Sequence, residues 1–250
     1  MITPPDATMP GGWQAIYTAG ILLALLAFGG NALRVWHRTK DPIPLFCILG
    51  GAVCTLLEPM VDILGLCWYP RPGQTQLFEL MGRPIPMFVL PGYMFFMGGL
   101  TVLAIGVVER RGRRALFGLF PLLMLVELPF ELVANHTGVY TYYGHQPLRI
   151  FDFPVWWLFV NTLVPLTAGL AITGLRPMLR GRRGWLVVAL LPMLDAGINA
   201  AAGWPTWIVL NSEVPSFVTQ AGGIATCALA VLGLLLLTAS TDAPDTEGAL

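Results

Sequence analysis

Seven apolar runs recur along this chain of 250 residues, at roughly 13–35, 43–66, 86–108, 115–134, 153–175, 184–203 and 216–238. Each has about the 20 residues that a helix needs to cross a bilayer. Few folds suit such a chain, because backbone in lipid must satisfy its own hydrogen bonds, and only helices and closed barrels do so. Runs of this length read as helices. The expected fold is all-α, with seven transmembrane helices in one bundle over residues 1–238 and a disordered acidic cytoplasmic tail over 239–250. Only 11% of the residues are charged, about half the share of a soluble domain, so no separate soluble module is expected. The first run is too long for a removable signal peptide and lacks its basic flank and cleavage site.

Charge placement sets the expected orientation. Arg34, Arg38 and Lys40 follow the first run, Arg110, Arg111, Arg113 and Arg114 the third, and Arg176, Arg180, Arg182 and Arg183 the fifth. These are 11 of the 14 basic residues; Arg71, Arg83 and Arg149 fall in the opposite loops. Basic loops stay cytoplasmic, so the N-terminus is expected outside and the C-terminus inside. With no sign of a eukaryotic secretory pathway, the expected location is a bacterial cytoplasmic membrane, crossed several times. The Asn135–His136–Thr137 sequon then carries no meaning.

A motif repeats along the chain. The stretches EPMVDILGLCWY (58–69) and ELVANHTGVYTY (131–142) each hold an acid, Asp62 or Asn135 four residues on, and Gly65 or Gly138 seven residues on. Aromatic residues follow each glycine. A weaker third copy has Asp195, Asn199 and Gly203, then Trp204 and Trp207. All three fall at the outer ends of even-numbered helices, and a spacing of four places both polar groups on one helix face. Helix termination explains the glycines, and interfacial belts explain the aromatics. Neither explains the acids. Glu58, Asp62, Glu127, Glu131 and Asp195 lie within apolar runs, where a carboxylate costs about 2.5–3.5 kcal/mol on insertion scales and usually marks function.

No Lys or Arg lies at similar depth to neutralise these acids. Burial without a cation favours an uncharged carboxyl, and two carboxyls sharing one proton supply a donor and an acceptor. The expected site is therefore an acid-lined cavity walled by aromatic residues and opening towards the outer leaflet. Its outer-half neighbours include Trp13, Tyr17, Tyr93, Phe95, Trp156, Trp157, Asn161, Asn211 and Gln220. The bland alternative for any one acid is a structural hydrogen bond between helices. His136 and His145 lie in the outer loop beside the acids, where a solvated surface role competes with proton exchange.

Several function classes can be weighed on these residues. The only lysine, Lys40, lies in a loop, which excludes a retinal Schiff base. A prenyl-diphosphate enzyme would use acid pairs to hold Mg²⁺ but would also want cations near the phosphates, and these are missing. A proton-coupled carrier would use buried acids; however, the repeats share one orientation and no interrupted helix is evident. A structural or signalling role stays open. The best fit is an acid-catalysed cyclase or isomerase of a lipophilic substrate, in which a carboxyl donates a proton and aromatic faces stabilise the cation. The four cysteines show neither metal-site spacing nor a disulfide framework, and no metal or cofactor is expected. Zero net formal charge gives no reason to expect nucleic acid. The expected partners are a lipophilic small molecule and membrane lipid, with self-association left open.

Three stretches resemble the avermectin-type spirocyclase family of integral-membrane spiroketal cyclases. They are Glu58–Pro59 with Asp62, the GYMFFMGG stretch (92–99) with its following basic loop, and Glu127, Glu131, Gly138, Tyr140, Thr141, Tyr142 and Gly144, trailed by Phe153–Pro154. The likeness spans roughly residues 55 to 160, and the chain is shorter than typical members. A looser similarity is to membrane-bound meroterpenoid and carotenoid-type cyclases, which carry an acid comparable to Glu58. Both resemblances imply acid-initiated ring closure of a polyketide or terpenoid.

The expected roles follow from the repeat. Glu131, with its copy Glu58, is the candidate general acid. Asp62 and Asn135 orient these acids, Glu127 lies one turn deeper, and Asp195 with Asn199 completes the far wall. The candidate substrate-binding residues are Trp68, Tyr69, Tyr93, Asn135, Tyr140, Tyr142, Trp156, Trp157, Asn161 and Asn199.

Overall fold

The computed structural model describes residues 3–239, so all but the first residue of the expected acidic tail lies outside the described residues. Seven helices are long and apolar enough to cross a membrane: Gly11–Thr39, Ile43–Gly65, Val89–Arg111, Arg113–Thr137, Trp156–Leu175, Gly181–Leu210 and Ser216–Thr238. They are helices 1 to 7 below. Their outward faces are apolar: Leu23, Leu26, Leu125, Met193, Phe217 and Leu236 are 65–74% exposed. An exposed belt of this kind suits lipid rather than water.

Several boundaries differ from the sequence reading. Helix 1 runs on to Thr39, so Arg34 and Arg38 sit in its last turns rather than in a loop. Helix 6 does not stop at Gly203 but continues to Leu210. Pro205 lies inside the helix and offers no N–H to the Ala201 carbonyl, an interruption that membrane helices tolerate. The Thr206 N–H donates to Thr226 Oγ1 at 3.2 Å, and Asn211 Nδ2 donates to the Trp207 carbonyl at 2.9 Å. Trp204 and Trp207 therefore belong to the helix, and the third motif copy departs from the other two.

Two helices are interrupted, against expectation. In helix 2 the ladder tightens to a 3₁₀ turn over Thr55–Leu57, just before Glu58. Pro59 is the cause: it has no N–H for the Thr55 carbonyl and its ring crowds that oxygen, so the Glu58 N–H bonds Thr55 instead. In helix 3, Met94–Gly99 forms a π turn, a feature common near functional sites. The π turn crosses the regular first part of helix 2, Ile43–Cys54, with almost no side chain between the two backbones. A Cβ on Gly51 would stand 2.6 Å from the Tyr93 carbonyl oxygen, and one on Gly98 would stand 2.7 Å from that of Cys47. Gly98 of GYMFFMGG, with Gly51 of helix 2, thus permits backbone contact.

Six short strands, none expected from the sequence, pair in three antiparallel ladders within the loops after helices 2 and 4. Strand β1 (Cys67–Trp68) pairs with β4 (Thr141–Tyr142), with Cys67 opposite Tyr142 and Trp68 opposite Thr141. This ladder joins the ends of the first two motif copies. Strands β2 (Gln76–Leu80) and β3 (Arg83–Pro86) form a hairpin, and β5 (Arg149–Ile150) pairs with β6 (Phe153–Pro154). The segment before helix 1 closes onto the same end, where the Met9 N–H reaches the Pro72 carbonyl at 2.8 Å. At the other end Arg176 bridges Asp41 and Glu109, each at 3.0 Å.

Candidate functional site

The first two motif copies fold into one local device. Helix 2 ends with Leu66 in a left-handed conformation and helix 4 ends with Gly138 at φ +76°. Each turn sends the chain back over its own helix, so that an aromatic residue lands on the leading acid. Tyr69 donates to Glu58 Oε1 at 2.6 Å, and Tyr142 donates to Glu131 Oε2 at 3.1 Å. The glycines serve different ends. Gly138 supplies a backbone conformation that side chains disfavour, whereas Gly65 makes room, since a Cβ there would stand 2.3 Å from the Trp157 ring.

Both devices face a cavity of about 150 Å³ near the strand-capped end of the bundle. Glu58, Asp62, Glu127 and Glu131 all line it. So do Tyr69, Tyr93, Tyr140, Tyr142, Trp157 and Asn161 among the sequence candidates, with Tyr17 and Phe95 from their neighbours. Edge-on packing knits the phenols together: the Tyr140 ring lies 5.3 Å from Tyr69, 6.0 Å from Tyr142 and 6.1 Å from Tyr17.

The acids have different surroundings. Glu58 is bonded at both oxygens, since Tyr93, just before the π turn of helix 3, donates to its Oε2 at 2.5 Å. Glu131 takes a longer bond, from Tyr142 to Oε2 at 3.1 Å, and the Tyr140 phenol stands beside the same carboxyl. Glu127 accepts from Asn161 Nδ2 at 2.6 Å through Oε1. Asp62 is buried beside Cys67. Burial, before all else, pushes the Tyr69, Tyr140 and Tyr142 phenols and the Cys67 thiol well above their ordinary values. These groups stay protonated and serve as donors.

The remaining candidates lie elsewhere. Asn135 donates to the backbone carbonyl of Glu131 at 2.9 Å and so does not orient its carboxyl. A residue one turn on reaches that carbonyl easily, because the helix is ending there. Asp195 lies outside the cavity wall, 1% exposed, beside Cys54 and bonded by Asn199 at 2.8 Å. Trp156 stacks behind Trp157 at 4.1 Å between ring centroids and donates to Gln146. Trp13 is nearly half exposed. Asn211 and Gln220 bond the Leu64 carbonyl and the Leu148 N–H instead of facing the cavity. His145 pairs with Ser216 at 2.8 Å on the exposed side.

Trp68 does not shape the cavity; it carries Arg83, whose guanidinium lies 5.4 Å from its ring and 5.7 Å from that of Tyr143. Arg83 corrects the sequence reading, which left it in an outer loop with no cation at the depth of the acids. The β2–β3 hairpin folds it inward until it is 8% exposed, bonded to Tyr143 Oη at 2.7 Å and the Cys67 carbonyl at 3.2 Å. From there its charge acts on Asp62, so one acid does have a cation near it. Residues that the sequence reading missed include Cys67, Phe88 and Phe130 on the wall. Cys67 had a signal, being five residues past Asp62 inside the repeat; the two phenylalanines had none.

Among the described residues, no group of three or more His, Cys, Asp or Glu is arranged to hold a metal. No family model, curated protein or solved structure matches the chain.

Proposed function

We propose that this seven-helix bundle is a membrane-embedded acid catalyst of ring closure, acting on a lipophilic polyketide or terpenoid without a cofactor. The observation that carries this reading is that one 150 Å³ cavity, walled largely by aromatic rings, gathers four carboxyls whose hydrogen bonding differs. Acid–base pairs arise where like groups are held in unlike surroundings. Glu131 is the general acid: it leads the second motif copy and is held less closely than Glu58, by Tyr142 at 3.1 Å with the Tyr140 phenol beside it. Glu58, gripped by two phenols, is the counter-charge to a developing cation, and the surrounding rings add their π faces. In a spiroketal closure, Glu131 would protonate a hemiketal hydroxyl, which leaves as water. The oxocarbenium ion is captured by a second hydroxyl, whose proton returns to the carboxylate, for a net loss of one water.

The cavity's volume bounds what reacts. About 150 Å³ holds a single six-membered ring, so a larger substrate would place only its closing ring between the acids. The resemblance of residues 55–160 to spirocyclases agrees with this reading, and the basic-loop rule puts the strand-capped end outside.

The test is incubation of the full chain in nanodiscs with a dihydroxyketone spiroketal precursor and, separately, a polyprenyl epoxide. Stereochemically biased ring closure of either supports catalysis and chooses the substrate class. The second reading, a proton-coupled carrier, is favoured by the interruptions in helices 2 and 3, since broken helices line many transporter sites. A carrier would bind a ligand and leave its covalent structure unchanged.

A further inference from the structure

A second hollow lies at the other end of the bundle from the acids. The end of helix 5 and the first turns of helix 6 form a groove of about 430 Å³, which shares no lining residue with the acid-lined cavity. Leu186, Ala189, Leu190 and Met193 line it at spacings of three and four, as one stripe of helix 6. Met178, just past helix 5, lines it as well. Met178 and Met193 are 62% and 70% exposed, so the groove opens on the apolar outer face of the bundle.

The one charged residue on its wall is Arg183. Arg183 belongs to the connection RPMLRGRRGWL (176–186), which has four arginines and no acid. Arg176 is taken by Asp41 and Glu109. Arg180, Arg182 and Arg183 are exposed and form no ion pair among the described residues. Trp185 beside them is 57% exposed, as suits the headgroup level where tryptophans collect. An apolar groove with a cation on its wall matches a molecule that joins hydrocarbon to an anion. A soluble anion leaves the stripe uncovered, and a neutral lipid leaves the arginines unpaired.

We infer that this groove holds one anionic phospholipid. An acyl chain lies along the Leu186–Met193 stripe, and the phosphate pairs with Arg183, with Arg180 and Arg182 adding charge. Basic pockets between membrane helices bind anionic head groups in this way, and the guanidinium fork suits phosphate oxygens. The site does not depend on the proposed ring closure.

The test counts lipids on the full chain in detergent by native mass spectrometry, using phosphatidylglycerol and phosphatidylcholine with identical acyl chains. The first phosphatidylglycerol is expected to bind at least about tenfold tighter, and Arg183→Gln to cut that preference by about fivefold, the effect of one cation near a membrane surface. Arg38→Gln, an exposed arginine at the same end but off the groove, should leave the preference unchanged. Ala189→Trp should fill the groove and weaken the binding of both lipids.

Equal affinities for the two lipids in the native chain would overturn the site, whatever else covers the groove, the chain's own acidic stretch 242–247 included. That comparison needs no variant to fold. Equal losses in Arg183→Gln and Arg38→Gln would overturn it in favour of diffuse attraction by the basic end. An Ala189→Trp protein with native melting and undiminished binding would take the lipid out of the groove. Displacement of phosphatidylglycerol by equimolar glycerol phosphate would make the ligand a soluble phosphate ester and overturn the lipid.

Discussion

Tyr69 donates to Glu58 Oε1 at 2.6 Å from eleven positions further along the chain. Tyr142 stands to Glu131 in the same relation, eleven positions on and at 3.1 Å. Between acid and phenol each copy has a helix end and a reversal, and the two return strands pair with each other. The sequence repeat is thus a repeated way of laying a phenol on a membrane acid. Eleven residues past Asp195 comes Thr206, still inside helix 6, and that copy has no phenol to offer.

Removing either phenol should destabilise the bundle. Tyr69→Phe and Tyr142→Phe each keep the ring and lose a bond to a carboxyl, worth about 1–3 kcal/mol. Thermal unfolding in detergent should place both variants below the native protein. Two unchanged melting curves would show that the phenol–acid bonds contribute nothing to the fold.

Alkaline titration should reveal the buried phenols. An unfolded tyrosine ionises near pH 10, and burial raises Tyr69, Tyr140 and Tyr142 well above that. Groups raised in the folded state stabilise it fully below pH 10 and lose that contribution as pH climbs further. Absorbance near 295 nm should therefore show at least three of the six tyrosines silent at pH 10–11, then a joint jump as the protein unfolds. Smooth ionisation of all six near pH 10 would contradict their burial.

The crossing of helices 2 and 3 should tolerate no methyl group. Gly51→Ala and Gly98→Ala force a Cβ to within 2.6–2.7 Å of a carbonyl oxygen, and overpacking typically costs about 1–3 kcal/mol. Gly118→Ala, in helix 4 with nothing within 4 Å of the added atom, should be neutral or stabilising by about 0.5–1 kcal/mol. Melting temperatures of the three variants check the contrast.

Arg83 should not be replaceable by lysine. Its fork bonds Tyr143 and the Cys67 carbonyl while lying over two rings, a geometry that an ammonium lacks. Arg83→Lys should lower the melting temperature and expose Trp68 to a fluorescence quencher. A variant with native melting and quenching would remove the hairpin from the site's support.

The spans and the basic ends were legible in the sequence, because apolar length and charge asymmetry are local signals. The positions of Glu58 and Glu131 were legible too, through the repeat. What the repeat did not disclose was the return of Tyr69 and Tyr142 onto those acids, which depends on two reversals and on a strand pairing across 75 residues between Cys67 and Tyr142. Asp195 matched the pattern but is off the cavity, since helix 6 continues where the others turn. Arg83 read as a loop cation because nothing local marks a hairpin that folds inward. Proline did carry a signal that went unused: Pro59, beside Glu58, is what breaks helix 2.

The most direct measurement is the rate of ring closure by the Glu131→Gln variant beside the native protein in nanodiscs, on whichever substrate the native protein turns over. Glutamine keeps the shape and the Tyr142 contact but holds no transferable proton. The expected result is a folded variant with kcat lower by about 10²–10⁴. Full activity in that variant would contradict the assignment of Glu131 as the acid, and with it the central account of this cavity.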